Sequence, residues 1–166
     1  GIFDSNVRIQ NELPVEIQIF KLLEICKKFG VNFKEHNTDY LSEESLRWHP
    51  FLGIHAANVA PEFGVAETRK LLELMKSSNK DLYKRFISLC VKSKKWKKWV
   101  LKDDISELDK ALICGHYLFS SYQGKEIIDE LKKNLKRKKI DLDIVLKDSV
   151  KLVLTKYIKN FRLNIN

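Results

Sequence analysis

The first half of the chain contains two short apolar runs, and each leads into a group of polar side chains. The runs cover residues 31–35 and 51–56, and both have the length of buried strands. In a parallel α/β protein, side chains at the carboxyl ends of neighbouring strands meet in one crevice. We therefore predict one shared pocket formed by His36, Asn37, Asp39, His55 and Asn58.

Helix signals separate and flank these two runs. Pro14 and Gly30 stand where a helix is expected to begin and end. Ser42 is the predicted N-cap of a short helix that closes at His49 and Pro50. A further amphipathic helix is predicted over residues 65–76. The resulting α-β-α-β-α order is typical of a parallel sheet covered by helices.

From Asn79 onward the sequence predicts helices alone. Four apolar periodic segments follow, with predicted starts at Asn79, at Asp103 or Asp104, after Gly124, and at Asp141 or Asp143. The chain shows no repeat and no Pro/Gly-rich linker. We therefore predict a single domain over residues 1–166, with an α/β segment over 1–78 and a helical cap over 79–166.

Two strands are too few for an independent sheet, even with residues 7–9 as a possible third. Most sheets have about five or six strands. The predicted fold is therefore α/β and incomplete. It is a partial (β/α)8 barrel of the TIM-barrel type that contributes the last strands, with a helix-rich C-terminal cap.

The composition favours a compact protein in a reducing compartment. The 166 residues are 44% hydrophobic, and no apolar run approaches the roughly 20 residues that cross a bilayer. Cys26, Cys90 and Cys114 lie within apolar helical patterns, and an odd number of widely spaced cysteines predicts reduced thiols rather than disulfides. We expect a cytoplasmic protein without a membrane partner.

Net positive charge is confined to the second half of the chain. Residues 1–79 carry a net charge of −2 and residues 80–166 a net charge of +11. Lysines alternate with tryptophans over residues 92–99, and residues 132–139 add six basic side chains. A basic helical nucleic-acid-binding protein is therefore the alternative function.

Two features of these basic segments speak against nucleic acid as a partner. Trp96 and Trp99 are three residues apart, so both rings lie on one helix face and are expected to join a core. Lysine outnumbers arginine there, as is typical of a solvated face. We therefore do not expect nucleic acid as a partner.

Several segments resemble one family of sugar-metabolising proteins. They are EHNTDYL at 35–41, GIHAANVAPEFGVAETRKLLEL at 53–74, DKALICGHYLF at 109–119 and TKYIKNFRL at 155–163. Together they resemble the C-terminal half of the non-catalytic subunit of class II tagatose-bisphosphate aldolase, a family also labelled tagatose-6-phosphate kinase. The resemblance implies the end of a (β/α)8 barrel and a role in stabilising or activating a catalytic aldolase subunit. The earlier barrel strands have no counterpart in this chain.

The resemblance also implies roles for residues of the predicted pocket. His36 is similar in position to a metal-ligating histidine of the catalytic aldolases, and the turn at Asn58 is similar to one that holds substrate. His55 or Asp39 could complete a divalent-metal site, for which zinc is the candidate, although a catalytic zinc needs three protein ligands.

Elementary chemistry adds further candidates to this pocket. The loop over residues 58–64 precedes a helix, and the free amides of a helix start favour an anion such as phosphate. The candidate substrate-binding residues are Asn37, Asn58, Ala60 and Gly64. Glu35 or Glu62 could act as general acid or base, and Asp39 could orient or transfer a proton.

Structural roles remain open for the same residues. His36 and Asp39 could form a hydrogen-bonded pair that orders a loop, and His55 could be a core histidine. His49 and His116 are expected to be structural. The sequence contains no Walker A, GxGxxG or GxSxG motif, so it offers no support for a kinase or a serine hydrolase.

These observations predict a carbohydrate-metabolism protein. We expect a non-catalytic, stabilising subunit of the tagatose-1,6-bisphosphate aldolase system that binds a sugar phosphate, the catalytic subunit, or both, and that forms oligomers. If the chain is active, the expected reaction is metal-dependent retro-aldol cleavage of a ketose bisphosphate.

Overall fold

Helices dominate the computed structural model of the chain, which describes residues 15–100 and 104–163. They make up 71% of it. The α-helices are α1 (Val15–Phe29), α2 (Glu43–Phe51), α3 (Pro61–Ser78), α4 (Lys80–Ser93), α5 (Glu107–Cys114), α6 (Tyr122–Lys136) and α7 (Leu142–Asn160). Two short 3-10 helices cover Lys97–Trp99 and Gly115–Leu118. The strands described are β1 (Lys34–Glu35) and β2 (Ala56–Ala57), and the candidate strand at residues 7–9 lies outside the described residues.

The predicted partial (β/α)8 barrel is wrong. β1 and β2 are parallel, with Lys34 opposite Ala56, but each strand has only two residues. The second apolar run, residues 51–56, enters a strand only at Ala56, because α2 continues through Pro50 to Phe51 and a turn follows at residues 52–53. A proline in the last turn removes one intrahelical hydrogen bond without breaking the helix. The Ile54 amide then donates to the His49 carbonyl, 3.1 Å away, so little of the run is left for a strand.

Local capping signals explain most helix ends. Ser42 and Asn79 cap α2 and α4 as predicted, because their side chains accept backbone amides of the first turn. Asp141 likewise accepts the amides of residues 143 and 144 at the start of α7. α5 begins later than predicted, with Ser106 as its cap, and α6 is capped by Ser121. Pro14 and Asp103 lie outside the described residues.

The chain folds as two compact units. Among the described residues, the first unit comprises 15–62 and 153–163, and the second unit comprises 63–100 and 104–152. Ile19 and Ile54 form the buried centre of a small cluster in the first unit, with Leu23, Phe33 and Leu52 packed against them. The second unit has a much larger core, which includes Leu71, Leu72, Met75, Leu82, Phe86, Cys90, Ile127, Leu131 and Leu135.

None of the helices in residues 15–100 and 104–163 combines the length and the apolar character that spanning a membrane requires.

Candidate functional site

The start of α3 in the first unit is capped by Asp39. One carboxylate oxygen of Asp39, Oδ1, accepts the Ala60 amide at 3.0 Å and the Glu62 amide at 2.9 Å. The first amides of a helix have no partner within the helix, and a carboxylate there also interacts favourably with the helix dipole. The predicted phosphate-binding amides are thus occupied by a side chain of the same protein, and the candidate residue Ala60 offers its amide to Asp39.

Glu62, in the first turn of α3, is the centre of a cluster of hydrogen bonds. Its Oε2 accepts the Tyr40 amide at 2.7 Å and the hydroxyl of Tyr157, while its Oε1 accepts Lys156 Nζ at 2.6 Å. The side chains of Glu62 and Lys156 are 14% and 25% exposed. The Tyr157 hydroxyl also lies 3.2 Å from the Thr38 carbonyl oxygen. This network ties the loop after β1 to the end of α7.

The network moves the pKa values of both partners. Burial alone raises the pKa of Glu62, but hydrogen bonds from Lys156, Tyr157 and Tyr40 outweigh it, and the pKa lies below the usual glutamate value. Burial, and then the Glu62 carboxylate, raise the pKa of the Tyr157 hydroxyl. Glu62 is therefore held ionised and Tyr157 protonated, a combination that stabilises structure rather than transferring protons.

Glu35 forms a buried pair with His49. His49 Nε2 lies 2.6 Å from Glu35 Oε2, and its Nδ1 lies 2.8 Å from the Ser45 carbonyl oxygen. Both residues are almost completely buried. A carbonyl only accepts, so Nδ1 carries a hydrogen, and a single further proton is shared between Nε2 and the carboxylate. Glu35, a candidate catalytic residue, therefore points away from solvent.

His36, Asn37 and Asn58 lie together at the ends of the two strands. The Asn58 Nδ2 donates to His36 Nδ1 at 2.9 Å, and the Asn58 carbonyl accepts the Thr38 amide at 3.0 Å. All three candidates are exposed, and Asn37 has a positive φ of 65°. This corner of the first unit, residues 36–37 and Asn58, is one accessible part of the predicted pocket, and His55 is exposed as well.

His55, the other candidate metal ligand, and Gly64 occupy other surroundings. His55 Nδ1 accepts the Phe33 amide at 3.3 Å. Within residues 15–100 and 104–163, no group of three or more His, Cys, Asp or Glu side chains is arranged to hold a metal ion. Zinc therefore stays a prediction. Gly64 belongs to the second unit, where an added Cβ would come within 2.5 Å of the His116 ring.

Sequence reasoning did not identify the partners that α7 supplies. Lys156 and Tyr157 are 94 and 95 residues from Glu62, and no spacing rule connects positions so far apart. His49 was expected to be structural, but its partner Glu35 was assigned to chemistry. The only sequence signal for this pairing was a histidine on the inner face of a short amphipathic helix.

Comparisons with protein-family models, with curated proteins and with solved structures gave no match to this chain.

Proposed function

We propose that this protein is a non-catalytic subunit that binds the catalytic subunit of a class II tagatose-bisphosphate aldolase. The observation that carries the proposal is an apolar stripe on α1. Leu22, Ile25 and Phe29 are 40%, 51% and 69% exposed. Their spacing of three and four residues places them on one face of the helix. An apolar helix face left open to water is typical of a surface that binds another protein.

Burial of this stripe supplies useful binding energy. Full burial of one large apolar side chain is worth roughly 1.5–3 kcal/mol. Because the three side chains are about half exposed, a partner that covers them gains about 2–5 kcal/mol from the stripe. Phe51, in the same unit, adds a further ring that is 62% exposed.

The hydrogen bonding of the candidate catalytic carboxylates favours binding over catalysis. Asp39 caps α3, and Glu35 is paired with His49 inside the first unit. Both carboxylates therefore already serve the fold. The partner itself comes from the resemblance of residues 35–41 and 53–74 to the non-catalytic aldolase subunits.

A sugar phosphate is the second ligand of the proposal. The exposed corner formed by residues 36–37 and Asn58 offers an imidazole and two amide side chains, which suit the hydroxyl groups of a ketose. We place the protein in the cytoplasm, because its three cysteines are free thiols in the structure.

Titration of the purified catalytic subunit with this chain tests the proposal. Light scattering after size exclusion should show a mixed complex, and retro-aldol turnover by the catalytic subunit should rise or last longer on warming. The double variant Ile25→Asp/Phe29→Asp should abolish both effects. Tyr122→Asp, an equally exposed aromatic in the second unit (78% exposed), is the matched control. A complex that survives the α1 variant would refute the proposed surface, and no complex at all would refute the proposed function.

A further inference from the structure

The two tryptophans of the basic segment have different surroundings. Trp96 is buried, and its indole Nε1 donates to the Val91 carbonyl at 3.1 Å. Trp99 is 49% exposed, and its ring lies 4° from parallel to that of Tyr117, with centroids 6.5 Å apart. The expectation that both rings join the core holds for Trp96 alone. Trp99 instead presents a flat aromatic surface to solvent, held in place by a neighbouring ring.

Lysines surround this aromatic pair. Lys98 Nζ lies 4.9 Å from the Trp99 ring centroid and 4.8 Å from that of Tyr117. Lys95 Nζ donates to the Tyr117 carbonyl at 3.1 Å. These side chains follow directly after α4. The C-cap residue of α4, Lys94, has the left-handed conformation with φ of 55°, which turns the chain out of the helix. An aromatic surface and positive charge are thus combined in one place.

A groove that carries basic side chains lies along α4 and α6. It has a volume of about 820 Å³ and is lined by Lys84, Arg85, Ser88, Leu89, Lys92, Ser93, Leu118, Ser121, Gln123, Glu126 and Ile127. Arg85 is paired with Glu130 at 2.9 Å. Neither Lys84 nor Lys92 has a carboxylate partner among the residues described. They are eight residues apart on α4, or about 12 Å.

The groove and the aromatic pair are neighbours along the chain. Ser93 lines the groove and is followed two residues later by Lys95, which contacts Tyr117, while Leu118 lines the groove directly after Tyr117. We name the groove together with Lys95, Lys98, Tyr117 and Trp99 the Trp99 surface. It lies entirely within the second unit, where the net positive charge of the chain is concentrated.

We propose that the Trp99 surface binds single-stranded nucleic acid. Phosphates are held by Lys84, Lys92 and Lys95, and one base stacks on Trp99. A single strand fits better than a duplex, because only an unpaired base can stack on a side chain. The hydroxyl and amide side chains of the groove suit a sugar-phosphate backbone. This inference is independent of the aldolase proposal, which concerns α1 and the first unit.

Fluorescence anisotropy with a labelled 12-nucleotide oligothymidylate tests the inference. Binding should weaken steeply between 50 and 200 mM salt. Trp99→Ala should weaken it about 5- to 100-fold, the usual range for loss of one base stack. Lys84→Ala/Lys92→Ala should lower the slope of log K against log salt by about 1.4, or about 0.7 per phosphate contact on a single strand.

Matched controls separate this surface from general basicity. Lys27→Ala/Lys28→Ala removes the same charge from α1, and Trp48→Ala removes an equally exposed indole (52%) from the first unit. Both should bind like wild type, and circular dichroism should show that every variant is folded. Absence of binding at 50 mM salt overturns the proposal. Equal affinity for polyphosphate, tighter binding to phosphatidylserine vesicles, or an unchanged affinity of Trp99→Ala also overturns it.

Discussion

Removal of the Tyr157 hydroxyl provides a direct test of the Glu62 cluster. In Tyr157→Phe the ring still fills its site, and Glu62 keeps Lys156 and the Tyr40 amide as partners. The loss is thus one hydrogen bond to an ionised group in a mostly buried setting. Such a bond is worth about 1.5–3 kcal/mol, and we expect the first unit to lose about 2 kcal/mol. The Thr38 carbonyl should lose little hydrogen-bond energy, because the Tyr157 hydroxyl donates to only one acceptor at a time.

Hydrogen–deuterium exchange followed by mass spectrometry measures this loss separately in each unit. A loss of about 2 kcal/mol should reduce protection of peptides from residues 38–62 and 153–163 by about 30-fold. Peptides of the second unit should change much less. Tyr122→Phe is the control, because Tyr122 also bonds a glutamate, Glu126, but is 78% exposed. That variant should leave all protection unchanged.

The lowered pKa of Glu62 predicts how the stability difference between wild type and Tyr157→Phe depends on pH. A carboxylate with a lowered folded-state pKa stabilises the fold above its unfolded pKa, and this stabilisation is lost as the pH falls through the folded value. Wild type and Tyr157→Phe should therefore differ fully near pH 7 and converge in acid, below the ordinary glutamate range. Equal protection at pH 7, or a difference that stays constant down to pH 3, would refute the reasoning.

Three further predictions concern the first unit and the cysteines. Asp39→Ala should cost about 1–2 kcal/mol in urea unfolding, because the start of α3 loses its cap, whereas Asp39→Asn should cost less; equal losses would contradict the capping role. Glu35→Ala should cost about 3–5 kcal/mol, because it removes the carboxylate that pairs with the buried His49. Glu35→Gln can still donate to His49 Nε2 and should recover part of that loss. No recovery would show that the charge of Glu35 matters. Maleimide should label Cys26 quickly and Cys90 and Cys114 only on unfolding, since both are buried; three equal rates would argue against the core of the second unit.

Local features of the fold could be predicted from sequence because their causes are local. Ser42 and Asn79 cap helices through atoms only two or three residues away. Gly30 ends α1 with a positive φ of 62°, and the following amide bonds back to Cys26. Each of these signals depends on a few neighbouring residues, whatever the rest of the chain does.

The candidate site was predicted only in part. The sequence placed His36, Asn37 and Asn58 together, and the structure does so at the ends of β1 and β2. The sequence did not reveal that Glu35 is buried against His49. A glutamate near a strand end reads as a catalytic group, and only the position of α2 shows that a histidine covers it.

Tertiary contacts determine three features that the sequence did not predict. They are the extent of the sheet, the exposure of the tryptophans and the Glu62 cluster. An apolar run has the same pattern in a strand and around a helix end, so hydrophobicity predicted a strand over residues 51–56 where α2 and the turn after it leave only Ala56 in β2. Trp96 and Trp99 have the same local spacing, but only one of them meets the core. Tyr157 reaches Glu62 across 95 residues, and contacts at such separations depend on packing that no local pattern records. The caps at Ser42 and Asn79 and the distribution of charge could be read from the sequence alone, because they depend on neighbouring residues.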